Sequence, residues 1–229
     1  MKNLSLVAIL LIFNLPVFAQ VPSFEFGLKG GLNLSRLALE NKDVPQSVKP
    51  GVNVGVTATY NVTQHLFLQS GLAFSMKGTR VEGAAPLGFS ERILYPGKEA
   101  VLTSNQLYLQ VPVYVGYKIG ISSSTKLVLT GGPYFAHGIG GKSQLTGDII
   151  YGDMIEYSTL KEPTFGSRGL QSFDYGIGSG IGVEIGRTII GVSYELGLKN
   201  IAPTGLVYFP FYNGSYKNRN ASLSLEYKF

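Results

Sequence analysis

From position 24 to the end of the chain, apolar residues recur at every second place. The clearest run is 173–185, where Phe173, Tyr175, Ile177, Ile181, Val183 and Ile185 alternate with Asp174, Gly176, Gly178, Gly180, Gly182 and Glu184. A side-chain period of two is that of a β-strand with one oily and one polar face. The same alternation predicts strands over 24–35, 51–61, 66–77, 106–118, 126–136, 188–199 and 220–229. The run 126–136 is the least regular, because Gly131 and Pro133 interrupt it. The last run sets Ala221, Leu223, Leu225, Tyr227 and Phe229 against Asn220, Ser222, Ser224, Glu226 and Lys228. Its length suits a tilted strand crossing a bilayer, which needs roughly 9–11 residues.

Alternation alone does not say which face points inward. A soluble sandwich or lipocalin-like barrel has the same period with the oily face inside. Glycine separates the two. Gly27, Gly31, Gly55, Gly71, Gly116 and the series from Gly176 to Gly182 all lie on the polar face. Glycine weakens a strand that merely faces water, whereas in a narrow closed barrel it leaves room for long charged neighbours. Connection lengths agree. Those at 62–65, 119–125 and 186–187 are short, and those at 36–50, 78–105, 137–172 and 200–219 are long. Short turns at one end and long loops at the other are the pattern of outer-membrane barrels. The expected fold is all-β, an eight-stranded antiparallel transmembrane β-barrel of up-and-down meander topology. It would be integral to the outer membrane of a Gram-negative cell, with both termini at the short-turn, periplasmic end.

The start of the chain fits export. Lys2, an apolar run from Leu4 to Phe13 broken only by Ser5, then Asn14, Pro16 and Val17-Phe18-Ala19, have the layout of a signal peptide. This predicts a leader at 1–19 and one barrel domain at 20–229. The leader run is short for a membrane helix, which needs about 18 apolar residues. Cysteine is absent, which removes disulfides and thiolate chemistry. The chain is basic, with a pI near 9.2, but its Lys and Arg do not cluster as a nucleic-acid footprint does.

Charge on the polar face sits at Glu25, Lys29, Lys77, Lys118, Asp174, Glu184, Glu195, Lys199, Glu226 and Lys228. The expected role is a salt-bridged network filling a narrow lumen; the functional alternative is a proton or ion path. A two-residue turn at Gly186-Arg187 pairs residues whose numbers sum to 373, placing Asp174 opposite Lys199 and Gly178 opposite Glu195. Closure of the ring brings Glu226 and Lys228 near Lys29 and Glu25. No catalytic, cofactor or metal site is expected. His65 and His137 are too far apart to share a metal, and a rim enzyme would need a nucleophile beside a base. Asp148, Asp153, Glu156 and Glu162 in the third long loop have no spacing that pairs two carboxylates. The alternating glycines of 176–182 are not G-x-G-x-x-G and open no helix. The aromatic run 206–212 could contact lipopolysaccharide or a protein partner, or extend the last strands above the membrane as a girdle. Phe24, Phe26, Tyr60, Tyr117, Tyr227 and Phe229 would form the opposite girdle.

Several segments carry a family resemblance. They are Gly27-Leu28-Lys29-Gly30-Gly31-Leu32-Asn33, Tyr108-Leu109-Gln110-Val111-Pro112, Gly131-Gly132-Pro133-Tyr134, Asp174-Tyr175-Gly176-Ile177-Gly178, Tyr194-Glu195-Leu196-Gly197-Leu198-Lys199-Asn200-Ile201 and Glu226-Tyr227-Lys228-Phe229. In this order the chain resembles the PorT-like outer-membrane β-barrel family of Bacteroidota. Gln110 departs from it, since that family more often has a carboxylate there. The resemblance implies a barrel in the outer membrane, Phe229 as a carboxy-terminal signal for the barrel-assembly machinery, and an accessory part in protein secretion of the type IX kind. The expected function is therefore a binding or structural component in contact with outer-membrane lipid and lipopolysaccharide, with protein partners at the long exterior loops. A small channel or transporter is the alternative.

Overall fold

The computed structural model describes residues 23–39, 46–84, 99–151, 153–166, 169–203 and 215–229. The expected leader at 1–19 and the aromatic run 206–212 lie outside them. The strands are β1 (Ser23–Leu39), β2 (Gln46–Ser47), β3 (Lys49–Asn61), β4 (Leu66–Ala84), β5 (Glu99–Gly120), β6 (Thr125–Gly140), β7 (Lys142–Tyr151), β8 (Met154–Pro163), β9 (Phe173–Ile185), β10 (Thr188–Gly197) and β11 (Tyr216–Lys228). Eight of them close a ring in the order β1, β3, β4, β5, β6, β9, β10, β11 and back to β1, every pairing antiparallel. The closing pair runs from Gly27↔Lys228 to Leu39↔Tyr216. The β7–β8 hairpin stands on the upper part of β5, and β2 rests on β4.

Within the lower two thirds of the ring the oily face points outward. Leu28, Leu32 and Leu34 of β1, Val52, Val54 and Val56 of β3, and Ile190 and Val192 of β10 are all exposed. The inward residues are polar or glycine. Gly116 of β5 shows why glycine is there: it is the direct partner of Phe67 on β4, and a Cβ at 116 would collide with the Phe67 ring. Gly178 makes room in the same way for the Tyr114 side chain.

Toward the long-loop end the sense reverses. Leu37, Val81, Leu102, Leu145 and Leu170 point inward and, with Ile201 and Tyr216, form a buried apolar cluster. The outward residues there are polar: Arg36, Arg80, Glu82 and Lys217. β1, β4, β5 and β11 therefore run further than the alternation predicted, because the period of two continues while the oily parity changes side. β4 reaches Ala84, β5 begins at Glu99, and the expected loop 137–172 contains the β7–β8 hairpin. Gly131 and Pro133 do not break β6. The register sum of 373 holds from Thr188↔Ile185 to Gly197↔Gly176. β10 stops at Gly197, however, so Lys199 lies beyond the ladder and does not face Asp174.

The close fit of Phe67 on Gly116 generates a test. Gly116→Val forces the ring away and should destabilise the barrel by about 1–3 kcal/mol, the usual cost of overpacking. The folded band in heat-modifiable gel electrophoresis should then be lost at lower temperature, and adding Phe67→Ala should recover part of the loss.

Candidate functional site: the charged lumen

The inward parity of the ring strands places ionisable groups at successive levels of one narrow lumen. Nearest the short turns, Lys228 Nζ lies 2.7 Å from Glu184 Oε2 and 3.1 Å from Glu25 Oε2. Lys118 Nζ lies 3.5 Å and 4.0 Å from the same two carboxylates, and Lys126 Nζ 3.8 Å from Glu184. Lys118 also donates to Asn61 Oδ1 and stands 5.3 Å from the centre of the Phe67 ring. The ion pairs tie together five strands, β1, β5, β6, β9 and β11, and the Asn61 bond adds β3.

One level up, Glu226 is buried and accepts hydrogen bonds from Thr57 Oγ1 (2.8 Å) and Gln69 Nε2 (3.0 Å). Lys29 is its cross-strand partner in register but makes no ion pair with it. Lys29 instead lines two small cavities of about 40 and 70 Å³, together with Gln69, Ser193 and Ser224.

Above these, Lys77 Nζ meets Glu195 Oε2 at 2.8 Å. The Glu195 carboxylate also accepts from Gln110 Nε2 and Asn220 Nδ2. The ammonium of Lys77 sits 4.5 Å from the ring centre of Tyr134 and 5.6 Å from that of Tyr108, a cation–π arrangement on both sides. Asp174, fully buried, accepts from Asn218 Nδ2 at 2.9 Å and Tyr134 Oη at 3.3 Å. Phe165 packs edge-on against Tyr108 at 5.2 Å between ring centres, joining this level to the apolar cap above.

Of the residues expected on the lumen face, Glu25, Lys118, Glu184 and Lys228 come together in one cluster, and Lys77 and Glu195 in another. Asp174 and Glu226 are held by neutral donors, Lys29 borders the cavities, and Lys199 lies outside the network. Sequence reasoning missed Lys126, Gln69, Asn218, Asn220, Tyr108 and Tyr134 as network members. All lie on inward positions of their strands, so parity was the available signal; five of them are uncharged, and Lys126 stands at the very start of the irregular strand β6. Gln110, where the resembled family favours a carboxylate, is here the amide donor that Glu195 needs. His65 sits at a short turn with Nδ1 2.9 Å from the Lys118 carbonyl oxygen. His137 is exposed on the outer face, and Ser143 is buried against Ser104 and Thr164. Among the described residues no group of His, Asp and Glu could hold a metal.

Removing one partner of a buried ion pair strands the other charge. Lys77→Met should therefore destabilise the barrel by about 3–5 kcal/mol, measured by urea unfolding in lipid vesicles. Lys77→Met combined with Glu195→Gln should be much less damaging than the single change.

The profile of the outer membrane protein beta-barrel domain family matches residues 18–202. Among solved structures, the chain is similar to OprG from Pseudomonas aeruginosa, with 14% identity over 91% of this chain and 97% of that one and a TM-score of 0.42. It is also similar to Ail, the attachment invasion locus protein of Yersinia pestis, with 15% identity over 90% and 98% and a TM-score of 0.36. No curated protein matches. With the family profile covering most of its length and its strands closed into an eight-membered ring, the chain belongs to the outer membrane protein beta-barrel domain family.

Proposed function

We propose that this protein is a non-conducting barrel of the outer membrane that serves as a binding or structural component rather than an enzyme. The observation that carries this reading is the filled lumen. The Lys118–Glu184–Lys228–Glu25 cluster, the Lys77–Glu195 pair between Tyr108 and Tyr134, and the apolar cap block it at three successive levels. Eight strands give a barrel whose interior side chains can fill. The short connections at 62–65 and 121–124 and the tight turn at 186–187 support a reading in which that end faces the periplasm and the hairpin end the exterior, since outer-membrane barrels keep their short turns on the periplasmic side.

The exterior end offers a partner surface. Met154, Ile155 and Tyr157 of β8 are strongly exposed, more than a soluble edge strand normally leaves to water. The PorT-like resemblance narrows the partner class to the protein-secretion apparatus, with lipopolysaccharide as the surrounding lipid and the barrel-assembly machinery as the insertion route. The channel reading draws on one feature, an open mouth of about 300 Å³ at the short-turn end lined by Glu25, His65, Lys118 and Lys126. That mouth ends on the lower ion cluster.

Planar-bilayer recording of the purified barrel separates the two readings: a flat baseline is expected, and a steady single-channel current would replace the plugged barrel with a pore. In intact cells, a photo-crosslinker at Tyr157 should capture an envelope protein. A crosslinker there that yields only monomer would remove the hairpin as the partner surface.

A further inference from the structure

Arg36 of β1 and Arg219 of β11 are direct cross-strand partners at the closing seam, on the outward parity of both strands. Lys217 follows two positions along β11 on the same face, opposite Ala38. Like charges placed directly opposite one another destabilise an antiparallel pair. Among the described residues none of these three cations has a carboxylate within ion-pair distance. Arg80, on the outer face of β4, differs: its Nε lies 2.6 Å from Glu82. The Arg219 guanidinium is held in place by two backbone carbonyls, Gly197 at 2.7 Å and Asn218 at 3.0 Å. Those bonds fix its position and leave its charge uncompensated.

The surface immediately below is of the opposite kind. On the same two strands Leu34 pairs with Ala221 and Leu32 with Leu223, all outward and exposed. A ligand that satisfies both parts carries an anion over the arginines and an alkyl chain along the leucines. Guanidinium groups bind phosphate oxygens with two parallel hydrogen bonds, which a lone ammonium does not. We infer that the β1–β11 seam is a binding site for a phosphate-bearing lipid of the outer leaflet. The phosphate bridges Arg36 and Arg219 with Lys217 beside it, and an acyl chain lies along Leu32, Leu34 and Leu223. The choice of leaflet rests on the exterior placement of the hairpin end proposed above; the site itself does not.

The test uses the full-length barrel in phosphatidylcholine nanodiscs doped with lipid A, with retained lipid A counted by native mass spectrometry. The combined change Arg36→Ala, Lys217→Ala and Arg219→Ala should lower retention about tenfold or more, as expected when charge-assisted hydrogen bonds are lost. Arg80→Ala with Glu82→Ala should leave retention unchanged. Lipid A stripped of its phosphates should be retained no better than phosphatidylcholine, and millimolar inorganic phosphate should not displace the intact lipid. Equal retention by the triple variant, or equal retention of dephosphorylated lipid A, overturns the site. Displacement by inorganic phosphate would make it a site for the free ion and overturns the lipid assignment. Heat-modifiable migration checks folding; if the triple variant does not fold, Arg36→Gln alone, which leaves the bonds of Arg219 intact, carries the same comparison. Protease treatment of intact cells reports the leaflet separately: a protected β7–β8 hairpin overturns the exterior placement whatever the nanodiscs show.

Discussion

Everything in this barrel follows from the requirement that no backbone N–H or C=O be left bare in hydrocarbon. A sheet meets that requirement only by closing, and here the closure is the thirteen-position ladder between β1 and β11. These strands lie at opposite ends of the described chain. Their pairing closes the longest loop of the ring, and loop-closure entropy makes such long-range contacts slow to form. The lower ion cluster reinforces the seam from within. Lys228 of β11 reaches Glu25 of β1 on one side and Glu184 of β9 on the other, so the interior network and the hydrogen-bonded ring close together.

The membrane part of the fold was legible because lipid on one side and a cramped lumen on the other enforce opposite chemistries at alternate residues. The run 173–185 became β9 with the same bounds, and a two-residue turn fixed the register of β9 with β10. The upper part was hidden for a physical reason. Along β1 the apolar residues shift from even positions, ending at Leu34, to odd positions at Leu37 and Leu39, while the strand itself continues unbroken. Read as a single amphipathic pattern, that shift looks like the end of a strand. The β7–β8 hairpin was hidden for a related reason: among its described side chains Leu145 and Leu160 alone touch the cap, too few to make an oily face.

The lumen was legible in its contents and not in its contacts. Parity put Lys77 and Glu195 inside, yet they stand on β4 and β10, which are four strands apart around the ring. Whether two inward residues meet across the lumen depends on strand tilt and stagger, which no local pattern records. Neighbouring strands are different, because register alone decides who stands opposite whom. Even there the outcome turns on side-chain detail: Lys29 and Glu226 share a rung, and Glu226 takes its hydrogen bonds from Thr57 and Gln69 instead.

The change of oily parity part-way along β1, β4, β5 and β11 has a mechanical consequence. A barrel with one uniform pattern could ride higher or lower in the bilayer at small cost. This one has a stop. Sinking would carry Arg36 and Arg219 into the acyl region, where the cost of an arginine climbs from about 0–1 kcal/mol near the interface to about 2–4 kcal/mol at the midplane. Rising would lift Leu32 and Leu223 out of it. The standing height of the β7–β8 hairpin above the lipid is thus set by the sequence of β1 and β11, on the far side of the ring from β5, which bears it. The hairpin is carried at a fixed elevation, as a socket on a post rather than a buoy.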